Sequence, residues 1–373
     1  MNAPGTWSDD ADLSGPVAAV GIATRTVPVG LRDARMAPSY FATSARDGSS
    51  SWLDLPGFSL ERSGLSGGVA VSPDGRRLGW ARFATRRALA GWSVLDTTTG
   101  KLQNLEVEGF DRVRPTMSEL AFSGDSRYLL TSFETPDQPK DGSRGHQFVA
   151  WRVSDGAATV LEDPGFSWLP SLGYAETGVV WSRNHTVFRV DPETGRHSTF
   201  TLPRNVMMAS WAPDDAAFAY IGRDDPKKGD PPADIRLYVG ANTSSAHRVV
   251  DLPDTSPIGE FLAWRDPTHV ALGNYRGEVY VVDITDGSHE TIDMVGGGDQ
   301  INTPLLATGL WAKPMVTPAA TTGATDPRQL WRWAGLVVFV ALLGAGAGLL
   351  RRADQAAGRR RSPAAPSDRS RAS

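Results

Sequence analysis

A short hairpin pattern recurs along this chain and constrains its fold more than any other feature. In its clearest copy, residues 69–81, two alternating apolar runs flank the turn Ser72-Pro73-Asp74-Gly75. Proline presets φ at the start of the turn, and glycine accepts the positive φ that the reversal needs. The stretch therefore predicts a β-hairpin with a tight turn.

Further copies of this pattern indicate a repeat protein. They occupy residues 120–130 and 209–220, with looser copies at 172–181 and 261–272. In the clearest copy, Ser-Pro-Asp-Gly-Arg joins one strand to the next. This order resembles the WD40-like propeller repeats of the TolB type. The resemblance covers most of residues 60 to 295, and it implies a β-propeller without identifying a ligand.

A second hairpin follows each copy and has its own turn residues. The second turns recur at intervals of roughly 40 to 55 residues, close to the period of a four-stranded propeller blade. Two hairpins per period therefore predict one blade. The second turns lie at Asp47-Gly48, Thr99-Gly100, Asp155-Gly156, Asp191 to Gly195, near Asn242, and at Asp286-Gly287.

The preferred architecture is an all-β propeller of six blades, with seven as the alternative. The first blade lacks an innermost strand, whereas an apolar strand from Pro304 to Trp311 follows the last complete blade. A ring closes best when the late strand completes the first blade, because two open sheet edges would otherwise remain. We therefore expect these two parts of the chain to pair.

Composition supports this fold class and excludes several functions. The 373 residues include 39 Gly, 26 Pro and 12 Trp, which favours many short strands and tight turns. A formal net charge of −4 argues against a generally basic nucleic-acid binder. Because the chain has no cysteine, disulfides, thiolate nucleophiles and cysteine metal ligands are excluded.

An uncharged apolar run begins at Trp333 and ends at Leu350. Its length of about 18 residues approaches the minimum that spans a bilayer core. Trp331 and Trp333 fit an interfacial aromatic belt, and Arg351 ends the run. We therefore predict a disordered N-terminus (1–15), the propeller (16–313), a Pro/Thr/Ala-rich tether (314–330), a transmembrane helix (331–352) and a disordered basic tail (353–373).

The distribution of arginine predicts the orientation of this single span in the cell membrane. By the positive-inside rule the tail is cytoplasmic and the propeller extracytoplasmic. Residues 1–15 do not resemble a signal peptide, so two explanations stay open: an export signal precedes Met1, or the propeller is cytosolic. The arginines beyond Leu350 are Arg351, Arg352, Arg359, Arg360, Arg361, Arg369 and Arg371.

The span also contains a pair of small residues at Gly344 and Gly348. This spacing lets two transmembrane helices approach closely. A dimer through this face is therefore a hypothesis, although glycine is common in such helices in any case.

No motif in the chain predicts a catalytic, cofactor or metal site. The six histidines are scattered, with no pair at i, i+4. Asp74, Asp125 and Asp214 recur at equivalent turn positions, where aspartate accepts backbone N–H bonds, so the repeat itself explains them.

Long connections fall on one rim of the predicted ring, and tight turns fall on the other. We expect long connections at 27–38, 83–90, 134–145 and 223–233, together with Pro-Gly-Phe or Glu-Gly-Phe segments between blades. Loops held by a rigid scaffold commonly carry function, so this rim is the candidate binding surface. The candidate partner-binding residues are Arg82, Arg86, Arg87, Lys140, Arg144, Trp168, Lys227 and Lys228.

These features together predict a non-catalytic, membrane-tethered β-propeller that binds a protein or glycan partner at the cell envelope. The alternative is a propeller hydrolase or lyase with its site on the loop-bearing rim. A third option is a sensor that acts through the basic tail.

Overall fold

The computed structural model describes a subset of the chain and divides it into two compact units. Unit 1 contains Met1–Arg25 and Met36–Gly323, and unit 2 contains Thr26–Arg35 and Ala324–Ser373. Structural statements below concern the described residues, which are 13, 15–29, 33–58, 68–85, 88–106, 120–134, 146–161, 178–212, 214–223, 235–252, 258–274, 278–293, 305–314 and 328–360.

The strands form six antiparallel sheets, which are the blades of a β-propeller. Within each blade, strands that are consecutive in sequence are hydrogen-bonded neighbours, except that the last strand joins the first blade. The strands are, for blade 1, β1 (Val17–Val29), β2 (Asp33–Ser44), β3 (Ser50–Trp52) and β23 (Leu305–Leu306); for blade 2, β4 (Val69–Val71), β5 (Arg77–Thr85), β6 (Ala88–Asp96) and β7 (Leu102–Leu105); for blade 3, β8 (Leu120–Phe122), β9 (Tyr128–Glu134), β10 (His146–Arg152) and β11 (Ala158–Leu161); for blade 4, β12 (Val179–Arg183), β13 (Thr186–Val190) and β14 (His197–Thr201); for blade 5, β15 (Asn205–Trp211), β16 (Phe218–Arg223), β17 (Ile235–Gly240) and β18 (Arg248–Val250); and for blade 6, β19 (Ile258–Asp266), β20 (His269–Asn274), β21 (Glu278–Asp283) and β22 (His289–Asp293).

The predicted closure of the ring by a late strand is confirmed. β23 pairs antiparallel with β1, with Leu306 opposite Ala19. A short 3-10 helix follows, and the N–H of Gly309 donates to the carbonyl of Pro73 in blade 2 at 2.9 Å. Trp311 is buried in an apolar cluster with residues of blade 6. The closing segment therefore joins blades 1, 2 and 6.

Every pair of adjacent blades shares a buried apolar cluster, including the pair formed by blades 6 and 1. The clusters follow the two-residue alternation of strands. In β5, Leu78 and Trp80 pack towards blade 1, whereas Ala81 and Phe83 pack towards blade 3. The central strands are apolar on both faces because both faces lie between blades. The shared clusters show that the six blades form a closed ring.

The turn residues adopt the conformations that the sequence predicts. Five second turns have glycine at φ values between 71° and 80°, a region that glycine enters at little cost. These glycines are Gly48, Gly100, Gly156, Gly195 and Gly287.

The last position of the first turn also has a positive φ in blades 2, 3 and 5, but its residue type varies. Gly75 stands there in blade 2 (φ 70°), Ser126 in blade 3 (φ 60°) and Asp215 in blade 5 (φ 56°). Each contacts the preceding blade. The carbonyl of Gly75 accepts the N–H of Val17, the hydroxyl of Ser126 accepts the N–H of Asp74, and Asp215 pairs with an arginine of blade 4. The position therefore serves both the turn and the blade interface.

Two of the predicted long loops are wrong. Residues 27–38 continue as strand to Val29 and again from Asp33, and residues 83–90 are strand up to Thr85, which pairs with Ala88. Proline and glycine near the tip of the first hairpin were misleading signals. Continued pairing satisfies the backbone N–H and C=O groups of these segments two by two, which favours strand over loop.

Blade 4 is described by three strands. Its turn at Asp191 to Gly195 has the chemistry of a second turn, so β13 and β14 are the third and outer strands of this blade. The second strand of the looser repeat at 172–181 is confirmed as β12. The inner strand predicted at the start of that repeat lies outside the described residues.

A single long helix, α1 (Arg328–Arg360), belongs to unit 2. Within it, Trp331–Ala356 is long and apolar enough to cross a membrane, and its most apolar window is exposed. The helix exceeds the predicted span 331–352 at both ends and includes residues 353–360 of the predicted disordered tail. Alanine, glutamine and arginine favour helix, which explains the extension. The rest of the tail, residues 1–12 and most of the tether lie outside the described residues.

Gly75 offers a sharp test of the closure. A Cβ at this position would collide with the carbonyl oxygen of Val17 and approach Leu310, whereas a Cβ at Gly100 meets nothing within 4 Å. Both glycines have left-handed φ values, so each alanine substitution costs about 1 kcal/mol in backbone strain. Gly75→Ala adds a steric clash and is expected to lower the free energy of unfolding by about 3 kcal/mol or more.

The measurement is denaturant unfolding of the detergent-solubilised full chain, followed by tryptophan fluorescence. Gly100→Ala is the matched control. Equal losses in the two variants would contradict the tight contact between the first turn of blade 2 and the first strand of blade 1.

Candidate partner-binding face

The two rims of the ring differ in the connections that they carry. On the turn face, inner strands lead to second strands and third strands to outer strands, through short turns such as 72–76 and 97–101. On the loop face, second strands lead to third strands, and outer strands lead to the next blade. The loop face carries the longer connections, which include residues 53–68, 135–145 and 224–234.

The turn face is joined across blade boundaries by ion pairs and hydrogen bonds. Glu193 of blade 4 accepts from Arg127 at 2.9 Å and from the hydroxyl of Tyr128 at 2.7 Å, both in blade 3. Arg189 of blade 4 pairs with Asp215 of blade 5 at 2.8 Å. The polar groups of this face are therefore occupied in holding neighbouring blades together.

The recurring aspartates of the first turns have the structural role that the repeat predicts. Asp74 accepts from the hydroxyl of Ser72 at 2.6 Å and from the N–H of Arg76 at 3.0 Å. Asp125 accepts in the same way from Ser123 and Arg127, and Asp214 accepts the N–H of Ala216. These carboxylates stabilise turns and do not converge on one site.

The electrostatics of the turn face agree with this role. Hydrogen bonds from Thr285 hold the pKa of Asp283 below its usual value. A hydrogen bond from Tyr128, together with the charge of Arg127, lowers the pKa of Glu193. Groups with lowered pKa values remain charged at neutral pH and serve as fixed hydrogen-bond acceptors.

A histidine between two carboxylates on the turn face is a feature that the sequence did not reveal. Nδ1 of His269 lies 2.9 Å from Asp266, and its Nε2 lies 3.6 Å from Asp283. The available signal is that both aspartates begin turns of the same blade. Across the described ranges, no group of three or more His, Asp or Glu side chains is arranged to hold a metal ion.

On the loop face, Arg82 is the one candidate partner-binding residue that lies among the described residues. Its Nη2 donates to Glu106 Oε1 at 2.6 Å, and its side chain is only 18% exposed. A Cβ on Gly57 would lie 3.5 Å from the Arg82 side chain, so its stem covers this glycine. Glu106 and Gly57 are therefore structural partners that pattern analysis missed.

The Pro56-Gly57-Phe58 segment between blades 1 and 2 is an ordered, hydrogen-bonded part of the loop face. The indole N–H of Trp80 donates to the carbonyl of Pro56 at 3.0 Å, and the N–H of Phe83 donates to that of Gly57 at 2.9 Å. Gly57 has a φ of 76°. The backbone carbonyls of this segment accept hydrogen bonds from blade 2, which fixes its position against the Arg82 side chain.

The other candidate residues lie outside the described residues. At the loop face, β5 and β6 flank the first pair, β9 and β10 the next, and β16 and β17 the last pair, whereas β11 ends at this face and precedes the tryptophan. The residues concerned are Arg86, Arg87, Lys140, Arg144, Trp168, Lys227 and Lys228.

Comparison with known proteins does not identify a family for this chain. No protein-family model matches the chain, and no curated protein matches it. A chain of the solved structure titled "Crystal Structure of Mitotic Checkpoint Complex" matches with 13% identity and a TM-score of 0.42, over 65% of this chain and 67% of that chain. The assignment as a six-bladed propeller therefore rests on the strand pairing itself.

The environment of Arg82 predicts that its stem contributes more to stability than its charge. Arg82→Ala removes both the ion pair and the packing on Gly57, and it is expected to cost about 1 to 2 kcal/mol. Glu106→Ala removes only the ion pair of a 64% exposed carboxylate, so it is expected to cost less than about 1 kcal/mol. Thermal unfolding of both variants measures the difference, and equal losses would show that the ion pair alone matters.

Proposed function

We propose that this chain is a non-catalytic, membrane-tethered β-propeller that binds a protein or glycan partner through its loop face at the cell envelope. The main support for this proposal is that a closed six-bladed ring is combined with one described helix whose apolar side chains are exposed. Phe339 is 58% exposed and Leu342 is 66% exposed, as expected of residues that lipid covers.

The resemblance to TolB-type repeats supports this proposal through the turn motif. Ser72, Asp74 and Gly75 form the hydrogen-bonded reversal that the motif implies, and the same reversal recurs in blades 3 and 5. Propellers of that type are binding platforms at the cell envelope. The motif contains no partner contacts, so the identity of the partner does not transfer.

The unequal rims support the loop face as the binding surface. Ion pairs and turn hydrogen bonds occupy the polar groups of the turn face, whereas the loop face carries long connections that contain arginines and lysines. The adjacent cations Arg86 and Arg87, which join β5 to β6, fit a partner with acidic groups.

Charge reversal at Arg86 and Arg87 tests the loop face. We expect the double variant Arg86→Glu/Arg87→Glu to capture at least about tenfold less partner than the unchanged chain. The new glutamates would face acidic groups of the partner, and like charges across an interface slow association and speed dissociation. The measurement is quantitative mass spectrometry of proteins cross-linked to the full chain in its own membrane.

The matched control is Arg46→Glu/Arg76→Glu, which makes the same charge change at exposed positions of the turn face. The control is expected to retain the partner. If the two double variants capture the same set of proteins in the same amounts, the loop-face arginines do not bind the partner.

The orientation is part of the proposal and rests on charge asymmetry. Seven arginines follow Leu350, and translocating them across a bilayer is costly. We infer that the tail is cytoplasmic and the propeller extracytoplasmic, in a single-pass arrangement in the cell membrane. The dimer through Gly344 and Gly348 stays a prediction.

Protease accessibility distinguishes the two orientations. In intact cells that express the full chain with a C-terminal epitope, added protease is expected to remove the propeller and leave a short membrane fragment that carries the epitope. The immunoblot is repeated after lysis as a control for protease activity. Loss of the epitope in intact cells, with the propeller protected, would reverse the assigned orientation.

A further inference from the structure

The boundary between blades 4 and 5 contains a pair of stacked tyrosines. Tyr220 of β16 lies opposite Tyr238 of β17 in the register of the two strands, and the ring centroids are 4.8 Å apart at an interplanar angle of 12°. Tyr220 is fully buried (0% exposed), whereas Tyr238 is 7% exposed. Both rings belong to the apolar cluster that joins the two blades, so packing holds them in place.

A glycine at the loop-face end of β16 shows which way these rings point. Gly222 follows Tyr220 by two residues and shares its face of the strand. A Cβ on Gly222 would lie 2.8 Å from Cε2 of Tyr220 and 3.1 Å from Cε2 of Tyr238. Because Cε2 is next to the carbon that carries the hydroxyl, the hydroxyl ends of both rings lie towards the loop face.

The hydroxyl of Tyr220 is a buried polar group without a partner. Within the described part of the chain, no atom forms a hydrogen bond with it. Phenylalanine would fill the same space without burying an unpaired hydroxyl, which lowers stability. Burial raises the pKa of Tyr220 to about 12, so the phenol keeps its proton at neutral pH and can donate it to a ligand.

A cation lies beside this hydroxyl, in the connection from β14 to β15. The Cβ of Arg204 would lie 3.2 Å from a Cβ on Gly222, and its charge opposes the rise in the pKa of Tyr220, which reflects a positive charge near the phenol. The connection is held in place, since the N–H of Leu202 donates to the carbonyl of His185 in blade 4 at 2.7 Å. The exposed arginine is therefore presented by an ordered part of the loop face.

A second cation flanks the same glycine from the other side. Arg236 of β17 is opposite Gly222 in the strand register, so the two residues share one face of blade 5. Arg236 is exposed. Two cations around a neutral hydroxyl donor provide charge complementarity to a segment with several acidic side chains.

We propose that this cluster is a carboxylate-binding subsite of the loop face, in which Tyr220 and Arg204 together bind an acidic side chain of a partner protein. The hydroxyl of Tyr220 donates to one carboxylate oxygen, and the guanidinium of Arg204 donates charge-assisted hydrogen bonds. Rotation of the exposed Arg204 side chain towards the ligand uncovers the hydroxyl without a change in the backbone. Arg236 binds a neighbouring acidic residue of the same partner segment.

Removal of one oxygen atom tests the subsite. Tyr220→Phe deletes the hydroxyl and keeps the ring, and the matched control is Tyr128→Phe, which deletes a hydroxyl that donates to Glu193 at 2.7 Å on the turn face. Binding is measured by the fluorescence anisotropy of a labelled hexaglutamate peptide titrated with the detergent-solubilised full chain. A hexaglutamine peptide is the uncharged control, and thermal unfolding of each variant is followed in parallel.

We expect Tyr220→Phe to bind hexaglutamate at least about fivefold more weakly than the unchanged chain, and to unfold at the same or a higher temperature. Tyr128→Phe is expected to unfold at a lower temperature and to bind the peptide normally. Equal binding by Tyr220→Phe and the unchanged chain would overturn the subsite. So would a loss of stability in Tyr220→Phe as large as that in Tyr128→Phe, because the hydroxyl would then have a structural partner.

A charge variant provides a second readout. Arg204→Gln is expected to weaken hexaglutamate binding at least about tenfold at low salt, whereas Arg46→Gln on the turn face is expected to have no effect. Equal affinities of these two variants would overturn the assigned role of Arg204. Binding of hexaglutamine as tightly as hexaglutamate would overturn the carboxylate as the ligand.

This inference rests on the proposed role of the loop face, and the two proposals can fail separately. If the charge reversal at Arg86 and Arg87 abolishes partner capture but the unchanged chain does not bind hexaglutamate, the loop face is supported and the subsite is overturned. If hexaglutamate binding depends on Tyr220 but the charge reversal has no effect, the subsite is supported and the assigned role of the two arginines is overturned.

Discussion

The pairing of β23 with β1 is the contact on which the rest of the structure depends. Each blade has apolar residues on both faces, so a blade at the end of an open row would expose one face to water. The late strand joins blade 1 by backbone hydrogen bonds, and the residues after it contact blades 2 and 6. Closure therefore removes the two exposed ends at once, so that every blade lies between two neighbours.

The first turns show how one repeated backbone conformation adapts to different neighbours. The left-handed position holds Gly75 where the turn fits against the first strand of blade 1, and it holds Ser126 or Asp215 where a side chain reaches the preceding blade. A non-glycine residue at positive φ costs about 1 kcal/mol, which a hydrogen bond or ion pair between blades can offset. The residue type at the last position of the first turn therefore depends on the contact that this position makes with the preceding blade.

Local turn chemistry made most of the fold predictable from the sequence. Turns such as Asp47-Gly48 and Asp286-Gly287 are set by neighbouring residues, and the unpaired apolar stretch after blade 6 indicated the closure. The extensions of β1–β2 and β5–β6 were missed because pairing partners, and not local residues, decide whether such segments are strand. The contact of Arg82 with Glu106 was missed for the same reason, since it joins a second strand to the end of an outer strand.

The place of the closing strand in the chain has a consequence for biogenesis. Residues 305–306 emerge from the ribosome long after β1. The sheet of blade 1 therefore lacks its inner strand until the other five blades have been synthesised. Pairings of such large sequence separation form slowly, because the entropy of closing a long loop must be overcome first. The helix begins shortly after the closing strand, at Arg328, so the ring can close only when the long apolar helix is about to leave the ribosome. An arrest of translation between them would leave an aggregation-prone open arc.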